Sequence, residues 1–482
     1  MARFHLGSRC GLLLIVFAAA VLVRLVNVAD IARHPDVALT EDAALYWDGA
    51  RDWIASGGFN RVTVGDDNAR AYAPEHERVP GYFLFLLPFF AVFGGNPLPV
   101  LIAQSLLDAA SCVLIATIGF RLSLPAGVLA GLLAALWPNM IIHSGLILTE
   151  TLFLFLTVLL MAAALRFTDK LKLHDAWIVG LLCGMTIIVR PVMQFFPLAL
   201  MMGAAILPAI RGRGRRIIVA APIFLAIGVA TPVIPHLIRN QIVFGEPRLT
   251  SQTGVHLLYW VASQVEQVGS DTTFDALSVR YQTELETRFA ERGLSFYAAA
   301  PFAQDRAMQT LAIKILADQP ATAIAQAWMQ GMALNLVAPA ILGDPRIRSL
   351  KTESFMSGAG DIFSRARHMV ASAPPAYLIA LVIGSIGSIL SLGLAAAGFI
   401  VTLRRDLPLA LLSAALVGYF LLITGPVAAP KYRIPFEPAI ILACAAALAA
   451  AIDRWWRRIR PRHHHFINAP IQQACPLGRN SP

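Results

Sequence analysis

Apolar stretches, each close to the length that crosses a bilayer and separated by short polar segments, run through most of the chain. Residues 11–28, 98–120, 124–142, 146–166, 175–190, 194–210, 216–236, 377–402, 408–425 and 434–452 are such runs. About 20 apolar residues in helical form span the hydrocarbon layer, and a backbone without water must satisfy its own polar groups there. The pattern therefore predicts an all-α polytopic membrane protein of ten spans, with eleven to thirteen as the wider range. Two further stretches fit less well. Residues 81–94 are apolar but short and contain Pro88, which predicts a re-entrant or interfacial helix. Residues 321–342 have the length of a span, but Gln326, Gln330, Gly331 and Asn335 weaken it, so this stretch is expected to lie along or dip into the membrane. From 241 to 320 the chain is polar and mixed, and is expected to be an excursion too short for a core of its own.

Composition agrees: of 482 residues, 57% are hydrophobic and 14% charged, which excludes a soluble protein with one ordinary core. The net charge of +10 does not imply nucleic acid, because the basic residues cluster between apolar runs, as orientation in a membrane requires. Arg3 and Arg9 place the N-terminus in the cytoplasm. Arg121 and the clusters at 166–174 and 211–216 then fall on the same side, provided that 81–94 does not cross, and the strongly basic 454–462 is placed inside by its own charge. The organisation that follows is a transmembrane module 1–236 with its first extracytoplasmic loop at 29–97, an extracytoplasmic and interfacial segment 237–376, C-terminal spans 377–453, and a basic cytoplasmic tail 454–482. The expected location is the cell (inner or plasma) membrane with both termini in the cytoplasm. No cleavage site follows the first span, so it reads as a signal anchor. Arg24, near its outer end, is expected to snorkel to the headgroups. The five cysteines show no CxxC spacing, and His463–His465 reads as a solvated end. No cofactor is implied, and a divalent metal has no ligand motif to support it.

The polar residues of the outer face carry the candidate chemistry. In the first loop Glu41, Asp42 and Asp48 stand beside Leu45, Tyr46 and Trp47, which predicts a short surface helix with Tyr46 one turn after Asp42. Gly57-Gly58 closes that helix and Asp66-Asp67-Asn68 marks a turn. Arg78, Arg190, Arg239, Lys431 and Arg433 all fall at outer span ends, where a lipid-linked phosphate would need cations. Glu150 faces the same side and requires either a role or an arginine partner.

The order Asp42-x-x-x-Tyr46, Arg78-x-Pro80-Gly81-Tyr82, Phe93-Gly94, Leu148-Thr149-Glu150-Thr151, Arg190-Pro191, Ile238-Arg239-Asn240 and Lys431-Tyr432-Arg433-Ile434-Pro435 resembles the polyprenyl-phosphate-sugar glycosyltransferases of the protein mannosyltransferase and aminoarabinose transferase type. These have the GT-C fold, and the resemblance runs from the first span to Pro435. It implies inverting transfer of a sugar from a polyprenyl-phosphate donor to an acceptor at the extracytoplasmic face. It also implies an acidic base in the first loop, here Asp42 with Glu41 as competitor, and Glu150 nearby. The substrate-binding set it implies is Tyr46, Arg78, Tyr82, His143, Arg190, Arg239, Asn240, Lys431, Tyr432 and Arg433, with the lipid bilayer as the medium, no nucleic acid, and no metal ligands. Lys431 stands where arginine is common, keeping the charge without the fork. A transporter or flippase for a lipid-linked sugar is the alternative, which should show repeats and charges at mid-membrane. A ligase using a diphosphate-linked oligosaccharide would differ mainly in its donor.

Overall fold

The computed structural model describes residues 2–40, 42–64, 69–268, 270, 272–350 and 362–459. Glu41, the 66–68 turn and His463–His465 lie outside the described residues.

Among these residues eight helices are long and apolar enough to cross a membrane, and nine if the bent pair Leu124–Ala135 and Pro138–Ser144 is one span. The tenth expected span is the 17-residue apolar helix Leu173–Val189. In chain order the first ten helices are α1 (Ala2–Ile31), α2 (Asp42–Ser56), α3 (Gly81–Phe93), α4 (Leu98–Gly119), α5 (Leu124–Ala135), α6 (Pro138–Ser144), α7 (Glu150–Lys170), α8 (Leu173–Val189), α9 (Phe196–Ile210) and α10 (Arg215–Phe244). The first loop is not wholly helical. Strands β1 (Asn60–Val64) and β2 (Arg70–Pro74) form an antiparallel hairpin in which Val62 opposes Tyr72. Asp52 of α2 accepts from the Val62 amide at 2.9 Å, tying the hairpin to the surface helix.

The bundle core is built on small residues. The last helix, Glu437–Ile459, is buried along most of the run from Glu437 to Ala449, which is rich in alanine. A Cβ on Gly398 of helix Pro375–Arg405 would collide with the Ala443 carbonyl, so these two backbones touch directly. The 13 residues of α3 reach about 20 Å, well short of a bilayer. Its Tyr82, Phe83, Leu86 and Phe90 pack with Trp47 and Ala50 of α2. A Cβ on Gly81 would strike the Ile188 carbonyl, which brings the start of α3 against the end of α8.

Three expectations need correction. Arg24 does not snorkel. It is fully buried, ion-paired with Asp108 of α4, and donates to the Ala135 and Ala134 carbonyls at 2.8 and 3.2 Å. Those carbonyls lie in the last turn of α5, where the chain bends by 48° into α6 and the helix ladder stops, so a buried guanidinium helps to satisfy a helix terminus. For the same reason 124–142 is not one straight helix. Finally, the 241–320 excursion does hold a small core, in which Leu258, Leu277, Tyr281, Leu285, Met308 and Leu311 pack together.

Candidate active site

Asp42 is the first residue of α2, where the helix dipole favours a carboxylate. Its two oxygens meet cations from distant parts of the chain. Lys431 Nζ lies 3.3 Å from Oδ2 and Arg78 Nη2 lies 3.7 Å from Oδ1. Tyr46, one turn on, carries the Arg78 guanidinium 5.2 Å above its ring and rests edge-on against Tyr82 at 5.2 Å. The Arg78 backbone is held in turn, because Glu75 accepts from the amides of Glu77 and Arg78 at 2.6 and 3.1 Å.

A second ion pair stands beside the first. Glu150 opens α7 and accepts from Arg190 Nη1 at 2.7 Å; Arg190 ends α8 and lies over the Phe153 ring. Burial raises the pKa of the Tyr46 phenol, Arg78 and Arg190 pull it down, and Glu150 and Asp42 push it up, so the charges of both ion pairs act on the same phenol. The phenol stays protonated.

Other residues of the expected set are committed elsewhere. Arg433 is buried, donating to Glu437 at 3.0 Å, to the Leu336 carbonyl at 2.7 Å and to Ser388 at 3.2 Å. It anchors the tight turn Pro430–Phe436 and leaves Lys431, two residues earlier, to reach Asp42. Tyr432 lies 6.0 Å from the Lys431 ammonium. Arg239 is sandwiched between Phe59 and Phe244 at 5.1 and 5.3 Å and donates to the carbonyls of Phe59 and Glu75. Asn240 donates to the Arg248 carbonyl at 2.6 Å. Arg239 fastens the first loop to the end of α10, and Asn240 ties that helix end to the segment at Arg248. Tyr82 is fully buried, its hydroxyl donating to Gln104 at 2.5 Å, so it supports Tyr46 from behind. His143 is buried too, with Nδ1 2.9 Å from the Asn139 carbonyl, and its own carbonyl accepts from Thr151 in the first turn of α7.

Several supports lie outside the expected set of site residues. Gln104 locks Tyr82 to the Leu146 carbonyl at 2.8 Å, and Asn139 joins Glu437 and the Pro430 carbonyl at 3.0 Å each. Asn335, one of the residues that weakened 321–342 as a span, donates to the Val427 carbonyl at 2.9 Å and accepts from the Ala429 amide, so it shapes the approach to Lys431. His256 begins a π-helical turn; its pKa is lowered first by burial and then by Lys431 and Arg190, which leaves it neutral beside the same cluster. Among the described residues no group of three or more His, Cys, Asp or Glu side chains is placed to hold a metal ion.

No protein-family model matches the sequence, and no curated protein matches it as a relative. Solved structures do. An archaeal oligosaccharyltransferase, AglB from Archaeoglobus fulgidus, in complex with an inhibitory peptide and a dolichol-phosphate, superposes with a TM-score of 0.52 at 13% identity, covering 94% of this chain and 52% of that one. The chain has the GT-C fold. The apo form of the Archaeoglobus fulgidus oligosaccharyltransferase gives a TM-score of 0.50 at 13% identity, with 93% and 51% covered. ArnT from Cupriavidus metallidurans bound to undecaprenyl phosphate gives 0.39 at 13% identity, with 93% and 80% covered. This GT-C chain spans about half the length of the two oligosaccharyltransferase structures. Within its GT-C bundle, the site gathers at the end where α7 and α2 begin. The opposite end of α7 carries a separate network in which Arg121 joins Asp169 and Asp406, each at 2.6 Å.

Proposed function

We propose that this multi-pass membrane protein is an inverting glycosyltransferase, moving a sugar from a polyprenyl-phosphate donor to an acceptor at the extracytoplasmic face of the cell membrane. The observation that carries the reading is the meeting of Asp42 with Lys431 and Arg78 in a partly open site at one end of the GT-C bundle. Such a transfer needs a base for the acceptor hydroxyl and cations for the leaving phosphate, close together. Asp42 takes the hydroxyl proton while the acceptor oxygen bonds the anomeric carbon. The bond from that carbon to the phosphate oxygen breaks, and the lipid phosphate leaves with the electron pair, held by Lys431 and Arg78. Tyr46 supplies an aromatic wall, backed by Tyr82 and Phe83.

Charge supports a monophosphate donor over a diphosphate one. Arg190 is matched by Glu150, Arg433 by Glu437, and Arg239 by carbonyls and aromatic rings. Arg61 and Arg78 share the carboxylate of Glu77, and Arg78 and Lys431 share that of Asp42, so three cations face two carboxylates and leave one net positive charge, which suits a phosphodiester carrying one negative charge. The dolichol-phosphate held by the archaeal oligosaccharyltransferase is a lipid of the same class. The transporter alternative calls for charges inside the bundle, and Arg24–Asp108 is such a pair. It is closed to solvent and its donors go to the end of α5, so the pair, including the unpartnered Asp108 Oδ1, is out of a substrate's reach.

The purified protein, incubated with candidate polyprenyl-phosphate sugars and acceptors, should release lipid phosphate. Absence of release with every donor, together with movement of a lipid-linked sugar across reconstituted vesicles, would replace the transferase by the transporter.

A further inference from the structure

We propose that Asp42 and the donor phosphate compete for the same two cations, so that donor binding is what frees the base. The proposal rests on the reading of this site as the donor site. Both oxygens of Asp42 are turned towards cations, Oδ2 to Lys431 at 3.3 Å and Oδ1 to Arg78 at 3.7 Å. A carboxylate held in this way offers its lone pairs to the cations and not to an acceptor hydroxyl. The two contacts are longer than the 2.7 Å of Arg190 to Glu150, and the Asp42 side chain is 49% exposed against 4% for Glu150. Asp42 can therefore give up its partners and remain solvated at a helix N-terminus, whereas Glu150 would be left buried and unpaired.

A phosphate is the stronger competitor for Lys431 and Arg78. It presents several oxygens in a tetrahedron and can take the guanidinium fork and the ammonium together. Once it does, Asp42 is released a few ångströms away, beside the anomeric carbon, and the order of events is donor first, base second. Transfer then puts the acceptor proton on Asp42 and the electron pair of the broken bond on the lipid phosphate, which becomes a dianion on the same two cations. When Asp42 passes its proton to solvent it regains its charge, competes again for Lys431 and Arg78, and so helps to expel the product. Arg78 and Lys431 thus act on the base as positioning residues and on the phosphate directly.

The test is equilibrium binding of a short-chain polyprenyl phosphate to the full-length protein in detergent. If the carboxylate competes, Asp42→Asn should bind this lipid roughly three- to tenfold more tightly than wild type although it cannot catalyse. Asp42→Ala serves equally where the first variant does not fold, and Asp42→Glu, which keeps the charge, should gain nothing. In the Lys431→Ala background the gain from Asp42→Asn should shrink. Unchanged or weaker binding by Asp42→Asn, in a protein whose wild type binds the lipid, overturns the competition and leaves the donor-site reading standing. Failure of wild type to bind polyprenyl phosphate removes both. Titration with inorganic phosphate separates the sources: a gain with inorganic phosphate and none with the lipid would assign these cations to a soluble anion and overturn the proposal.

Discussion

Two of the places where this chain pairs an arginine or lysine with an aspartate differ sharply in their surroundings. Arg24 and Asp108 are 0% and 1% exposed, and the guanidinium donates onward to the end of α5. Arg78, Lys431 and Asp42 are 19%, 34% and 49% exposed, and their contacts are loose. A pair sealed inside the bundle holds helices together and is out of a substrate's reach, even though Asp108 Oδ1 has no hydrogen-bond partner. An open, under-satisfied one can exchange partners. Residue type therefore does not distinguish structure from chemistry here, but exposure and the closeness of the contacts do.

The largest effect should come from breaking the closed pair. Arg24→Ala strands Asp108 inside the bundle, a loss of about 3–5 kcal/mol, and should show as poor yield and a lowered melting temperature in detergent. Asp42→Asn should do the reverse, lowering transfer by roughly 100-fold or more with melting and yield unchanged. Glu41→Gln is its control; if that variant abolishes transfer and Asp42→Asn does not, the base is the neighbouring residue. Next, Lys431→Ala should weaken donor affinity by about 1.5–3 kcal/mol, while Arg433→Ala and Arg239→Ala should cost stability first, because their partners are Glu437 and backbone carbonyls. A loss of donor affinity in Arg239→Ala with unchanged melting would return that residue to the phosphate.

The smallest effect concerns pH. His76 ties the first loop to Ser251 at 2.7 Å, and burial, then Arg61, lower its pKa to about 4. The unfolded chain binds a proton near pH 6.5 that the folded one refuses until about 4, so stability is complete above 6.5 and falls as the pH drops through that window. Melting scans between pH 7 and 4 should record a modest decline that His76→Gln flattens; no change in slope between the two proteins would dismiss His76 as the titrating group.

Much of the bundle was legible in the chain because a bilayer imposes a minimum apolar length on any span, and ten runs met or approached it. The start of α2 at Asp42, with Tyr46 one turn on, follows from local spacing in the same way. The excursion was misjudged because its apolar residues, Leu258, Tyr281 and Leu311 among them, meet across some 50 residues of mixed chain. The hairpin escaped because strand pairing is settled between segments and not within one. For the cations the limit is sharper still. Arg24 looks like an interfacial residue until Asp108, 84 positions away, is seen to meet it, and Arg433 looks like Lys431 until Glu437 is seen to occupy it. Sequence determined which segments enter the membrane and which charges gather near their ends, because those depend on length and composition. Only the tertiary structure decided which charges were already spent on the fold and which were left for a ligand, because a side chain's free valence depends on partners that helix packing alone brings within reach.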